Sequence, residues 1–158
     1  SMFDRLPVSG NDIRKGLTET RVPGRFHVVP GDVIQVFDVA HNPEAATGLA
    51  DTLADLFCAG KSYAVFGILD DKDLSGVITP LLRQIDAWCV SAPQAARALT
   101  TDSVVGYLND KGEQSVQGFA GLNQAYRYAC DQAVRGDRII VFGSFFTVAE
   151  VLPLVSDR

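Results

Sequence analysis

From about residue 33 to the end, short β-branched or aromatic runs alternate with longer stretches whose apolar residues recur at helical spacing. That rhythm belongs to an α/β chain. Val33 to Val39 reads as a strand, and Ala45, Ala46, Leu49, Ala50, Leu53, Leu56 and Phe57 then line one helical face that Gly60 closes. A strand from Tyr63 to Leu69, a helix from about Leu74 to Gln84 and a short strand from Ala87 to Val90 follow. Helical pieces are expected at Gln94 to Leu99 and Ser103 to Leu108, with a weaker strand at Ser115 to Phe119. Leu122, Ala125, Tyr126, Ala129, Cys130, Ala133 and Val134 then share a helical face ended by Gly136. Arg138 to Phe142 (RIIVF) is almost wholly apolar, as a strand covered on both faces must be, and Phe145 to Leu154 reads as the last helix. Upstream, Phe26 to Val29 and the turn Pro30-Gly31-Asp32 predict an antiparallel hairpin with Val33 to Val39. The expected fold is a Rossmann-like three-layer sandwich in one domain, with a mostly parallel, mixed sheet of about six strands.

Composition removes several function classes. At 158 residues the chain can bury a full core without disulfide or metal staples. Fourteen Lys and Arg stand against nineteen Asp and Glu, a net charge of -5. No general basic field exists for a nucleic-acid backbone, so nucleic acid is not an expected partner. Cys58, Cys89 and Cys130 are widely spaced inside apolar stretches, without a CxxC. They read as reduced, buried small hydrophobes of a cytoplasmic protein. A structural zinc site needs about four close ligands, and His27 and His41 sit near no cysteine in sequence. No run of 18 apolar residues and no signal-peptide pattern is present, so no membrane partner is expected. Ser1 before Met2 looks like an expression scar, which predicts a parent chain that continues upstream.

In an open α/β sheet, ligands gather beyond the carboxyl ends of the strands. Three junctions there carry polar residues. Asp38-Val39-Ala40-His41-Asn42-Pro43 runs from strand into helix, with Asn42 as a plausible N-cap and Pro43 at the first helical position. A carboxylate at a strand end can take two ribose hydroxyls, and a helix N-terminus favours a nearby anion. Gly67-Ile68-Leu69-Asp70-Asp71-Lys72-Asp73 offers one cation among acids, and Phe142-Gly143-Ser144 places a hydroxyl before the last helix. Taken singly, each is equally a capped turn. Gly60-Lys61-Ser62 resembles the end of a phosphate-binding loop, but Asp55 stands where that loop needs glycine, and the segment runs from helix into strand. No GxGxxG follows a strand, and the lysine that a receiver domain carries after its last core strand is replaced by Gly143-Ser144.

Together, PGRF (Pro23 to Phe26), DVAHNP (Asp38 to Pro43), GILDDKD (Gly67 to Asp73) and FGSFFTVAEV (Phe142 to Val151) resemble, in order and spacing, the C-terminal domain of the bifunctional dihydrofolate synthase and folylpolyglutamate synthase family. That family is similar in mechanism to the muramyl peptide ligases. His27 departs from the Glu or Gln more usual after the GRF segment. The resemblance implies an ATP-dependent amide ligase. ATP activates a substrate carboxylate as an acyl phosphate, and L-glutamate attacks it, with dihydropteroate or reduced folates as substrates. It implies that the P-loop and most ligands of Mg2+ belong to an N-terminal ATPase domain, the partner of this one in a monomer. By the same resemblance Arg25 reaches the ATP phosphates, Asp38 the ribose hydroxyls, and His41, the catalytic candidate, the nucleotide side of the reaction centre or the incoming glutamate. Lys72 and Ser144 match positions for the glutamate carboxylates. The competing expectation is a non-catalytic Rossmann-like module for small-molecule binding or interaction.

Overall fold

The computed structural model describes residues 26–155. It is a six-stranded sheet with helices on both faces. Its elements are β1 (His27–Val29), β2 (Ile34–Asp38), α1 (Pro43–Asp55), β3 (Ser62–Phe66), α2 (Leu74–Ile78), β4 (Ala87–Val90), α3 (Thr101–Asp110), β5 (Val116–Gly118), α4 (Leu122–Gln132), β6 (Arg138–Phe142) and α5 (Phe145–Val155). The strand order is β1-β2-β6-β3-β4-β5, with β1 antiparallel to β2 and every other pairing parallel. The RIIVF strand is therefore central, between β2 and β3.

Alternation along the strands divides the core. Val36, Ala64, Phe66, Trp88, Val90, Ile140 and Phe142 point to the face covered by α1, α2 and α3. Phe37, Tyr63, Val65, Cys89, Ile139 and Val141 point to the face covered by α4 and α5. On the first face Phe66, Trp88 and Phe142 meet with centroids 4.9 to 6.1 Å apart. Each fully buried side chain of this size contributes about 1.5–3 kcal/mol.

Several expected boundaries differ. The helix expected from Leu74 to Gln84 is only five residues of α2, followed by a 3₁₀ turn at Thr79–Leu81. Pro80 lacks the N–H that would continue the α ladder, and its ring crowds the preceding turn. Gln94 to Leu99 is not helical. It folds back on the segment after β3, with Asp70 N–H donating to the Arg97 carbonyl, Leu99 N–H to the Ile68 carbonyl, and a bridge between Leu69 and Ala98. The helices assigned to Gly60 and Gly136 as terminators stop earlier, at Asp55 and Gln132. Of the cysteines only Cys89 is buried; Cys58 and Cys130 are partly exposed. Among the described residues no helix is long and apolar enough to cross a membrane.

The amino edge of the sheet is tied by buried polar side chains. Arg138 donates through Nε to Ser62 Oγ at 2.6 Å and through Nη1 to the Leu53 and Leu56 carbonyls at 3.0 and 2.9 Å. Those carbonyls belong to the end of α1, whose last turn carries no basic residue of its own. Asp137 accepts from the N–H groups of Lys61 and Val134 at 2.8 and 2.9 Å. The Gly60-Lys61-Ser62 segment thus enters β3 at this edge, with its backbone already engaged.

Candidate functional site at the carboxyl edge of the sheet

The chain leaves β2 through α1 on one face and leaves β6 through α5 on the other. Because those connections diverge, the carboxyl ends of β2, β6 and β3, neighbours in the sheet, form a topological switch point, the place where open α/β sheets bind ligands. The predicted motifs at Asp38, Lys72 and Ser144 all fall at this edge.

Asp38 ends β2 and is 7% exposed. Its Oδ1 accepts from Ala40 N–H at 2.8 Å and its Oδ2 from Phe26 N–H at 3.0 Å. The carboxylate therefore fixes both the turn into α1 and the backbone at the head of β1. Phe26 has φ of 37°, a left-handed conformation uncommon outside glycine and asparagine. Arg25, the residue before it, lies outside the described residues. His41 Nδ1 lies 2.9 Å from the Val39 carbonyl. A carbonyl only accepts, so Nδ1 carries the proton and Nε2 of the neutral ring keeps its lone pair. Asn42 caps α1 by accepting from Ala45 N–H at 2.8 Å, and Pro43 opens the helix. Both expectations from the sequence hold.

Lys72 is half-buried in the loop between β3 and α2. The acids before it do not pair with it: Asp70 and Asp71 lie 3.3 and 3.9 Å from the Arg97 guanidinium. Asp73 caps α2, accepting from Gly76 N–H at 2.9 Å. A Cβ on Gly76 would stand 2.5 Å from Pro43 Cγ, so the N-termini of α1 and α2 lie side by side.

Ser144 is 2% exposed. Its hydroxyl accepts from Thr147 N–H at 3.0 Å and pairs with Thr147 Oγ1 at 3.0 Å, and Thr147 Oγ1 donates to the Gly67 carbonyl at 2.8 Å. The side chain is an N-cap engaged within the fold. What the junction turns outward is the first turn of α5, where the N–H groups of Phe145 and Phe146 have no intrahelical acceptor. Gly143 has φ of +120°, and a Cβ there would overlap the Gly67 carbonyl oxygen. Gly67 is equally tight: its Cβ would stand 2.5 Å from the Ser91 carbonyl oxygen. The ends of β3, β4 and β6 are thus in backbone contact.

Sequence reasoning missed Arg97, which sits in the segment misread as helix. It also missed Thr147 and the Gly67–Gly143 contact. The Ser-x-x-Thr spacing after a strand was a visible sign of the cap, but its bond to Gly67 spans 80 residues and has no local signal. Among the described residues no group of three or more His, Cys, Asp or Glu side chains converges as a metal site.

The family model described as "Mur ligase, glutamate ligase domain" matches residues 24–145. The Escherichia coli dihydrofolate synthase/folylpolyglutamate synthase is 35% identical over 153 residues, which is 97% of this chain and 35% of that protein. The counterpart from Buchnera aphidicola (subsp. Acyrthosiphon pisum) is 34% identical over 152 residues, 96% of this chain and 36% of the relative. Among solved structures, E. coli FolC in complex with DHPP and ADP superposes with a TM-score of 0.81 at 35% identity, covering 97% of this chain and 36% of that one. A bifunctional folylpolyglutamate synthase/dihydrofolate synthase with Mn, AMPPNP and L-glutamate bound gives a TM-score of 0.78 at 36% identity, covering 98% and 36%. The chain thus spans about 36% of the length of such relatives. With that family match over most of the chain, and with the DVAHNP, GILDDKD and FGS junctions at one edge of the sheet, the chain belongs to the Mur ligase glutamate-ligase domain family.

Proposed function

We propose that this chain is the C-terminal, glutamate-handling domain of a two-domain ATP-dependent ligase that adds L-glutamate to dihydropteroate and to reduced folates. The observation that carries this reading is the convergence of the DVAHNP, GILDDKD and FGS junctions at one switch point, the carboxyl ends of three neighbouring strands. A carboxylate anion resists nucleophiles. Transfer of the ATP γ-phosphoryl to it gives ADP and an acyl phosphate, whose carbonyl the glutamate amine attacks. The amine loses a proton, the C–O bond to phosphate breaks, and an amide remains.

The residues divide this work. Asp38, oriented by two backbone N–H groups, is assigned to the ribose hydroxyls. Arg25 is assigned to the phosphates. His41, with a lone pair on Nε2, is assigned to the reaction centre, where it can accept a proton from the incoming ammonium. Lys72 and the Ser144 junction hold the glutamate carboxylates, the latter through the backbone donors of α5 that the Ser144 cap sets in place. ATP is a substrate bound between this domain and an N-terminal ATPase domain. Mg2+, which neutralises phosphate charge when bound, is assigned to that other domain. The whole protein is read as a cytoplasmic monomer, and closure of its domains excludes water from the acyl phosphate.

The test is kinetic. The isolated chain should show no ligase or ATPase turnover, and the full-length protein should show both. In the full-length protein, Asp38→Ala should raise KM for ATP, and Lys72→Ala that for glutamate, each about 10–100-fold, the worth of one hydrogen bond to a charged group. Turnover by the isolated chain, or unchanged kinetics in both variants, refutes the assignment.

A further inference from the structure

The first turn of α5 leaves two aromatic rings in the open. Phe145 and Phe146 are 57% and 43% exposed, and their rings meet edge to face, with centroids 6.2 Å apart and planes at 77°. Neither belongs to the core on either face of the sheet. The other large exposed apolar side chains among the described residues, Phe57 and Val134, follow the ends of α1 and α4 at the opposite edge. The helix that carries the two rings is firmly seated. Thr147 and Val148 are buried, Thr147 is bonded to Ser144 and Gly67, and Val151 fills the core a turn later. Two adjacent exposed phenyl groups contribute little to folding, which leaves them available to whatever arrives at the carboxyl edge.

The chemistry of the proposed substrates says what that is; this step rests on the functional reading above. In dihydropteroate the reacting carboxylate is bonded directly to a benzene ring. In a folate the reacting carboxylate belongs to a glutamyl group, separated from that ring by an amide and at least one aliphatic carbon. For amide formation the glutamate nitrogen must come within about 3–3.5 Å of the acyl carbon. If glutamate is held at the N-terminus of α5, an aryl acyl group brings its ring into reach of the side chains of that same turn. A folate's ring remains several bonds away.

We propose that Phe145 and Phe146 form the contact for the benzene ring of an aromatic carboxylate substrate and favour its use over that of an aliphatic one. They are specificity-determining residues that act through ring contact and take no part in proton or phosphoryl transfer.

The experiment uses the full-length ligase and the ratio of its two activities. Phe145→Ala, Phe146→Ala and the double variant are assayed for kcat/KM with dihydropteroate and with tetrahydrofolate at saturating ATP and glutamate. The double variant should lose about tenfold more activity toward dihydropteroate than toward tetrahydrofolate, the scale expected of an aromatic contact. Phe145→Tyr with Phe146→Tyr, which keeps both rings, should restore the ratio. Equal losses on both substrates would mark a merely structural role and overturn the proposal, as would an unchanged ratio. A parent enzyme active on tetrahydrofolate alone overturns it while leaving the ligase reading intact, whereas one active on neither overturns both.

Discussion

Replacing Arg138 by methionine should cost the domain about 4 kcal/mol of stability without touching the proposed site. Methionine keeps most of the apolar stem and removes every donor. The guanidinium makes three short bonds, to Ser62 Oγ, the Leu53 carbonyl and the Leu56 carbonyl, in a residue 5% exposed. Burial lowers the Arg138 pKa from its usual value, opposed by Cys58 and Asp86, so desolvation is the largest influence on the charge. The lost bonds leave the Ser62 hydroxyl and the last carbonyls of α1 facing a thioether. Breaking a buried charged network from one side costs about 3–5 kcal/mol, because its partners remain desolvated. For a domain of this size each kcal/mol moves Tm by roughly 2–4 °C, which gives a drop on the order of 10 °C. Urea unfolding followed by circular dichroism should show a lower midpoint at unchanged slope. Arg135→Met is the internal control, since its 3.3 Å pair with Asp32 is exposed at both ends and is worth no more than about 1 kcal/mol. In the proposed full-length ligase Arg138→Met should leave KM for ATP and glutamate in place, since Arg138 lies at the amino edge. A loss under about 1 kcal/mol, or one equal to that of Arg135→Met, would refute the argument that this cation joins α1 to the sheet.

Other substitutions probe the site's framework. Gly143→Ala should destabilise the domain by about 2 kcal/mol or more in the same assay, because the added carbon meets the Gly67 carbonyl oxygen at a φ of +120°; a neutral effect would show that the β3 and β6 ends can part. Burial pushes the Cys89 thiol up to about 12. The raised value means the unfolded chain releases this proton first, so the stability it contributes is whole below about pH 8.5 and is lost as pH rises toward 12. Cys89→Ala should therefore flatten the fall in stability above pH 9. A colorimetric thiol reagent should reach Cys58 and Cys130 before Cys89 in the native protein, and early labelling of Cys89 would contradict its burial.

The predicted sheet rests on features that are local in the chain. RIIVF is apolar without alternation because it is covered on both faces, and the structure puts it between β2 and β3. Asn42 and Pro43 announced the start of α1 by side-chain chemistry alone. The helix expected across Pro80 fails for an equally local reason, one legible in the sequence: proline has no N–H to continue the α ladder. Gln94 to Leu99 fails differently. Its apolar spacing is compatible with a helix, but pairing with Ile68, Leu69 and Asp70 satisfies its backbone instead, and that partner lies about 30 residues away.

By itself the sequence determined the α/β class, the hairpin and central strand, and three polar junctions at strand ends, because hydrophobic period and cap chemistry act within a few residues. Only the tertiary structure decided that those junctions share one stretch of the carboxyl edge, since adjacency of β2, β6 and β3 follows from crossovers. It also decided what their side chains do. Asp38 braces the head of β1 across 12 residues, Ser144 turns inward to Thr147, and Gly143 gives way to a carbonyl from another strand. Those assignments depend on distances between segments remote in the chain, and the same packing leaves Phe145 and Phe146 outside the core.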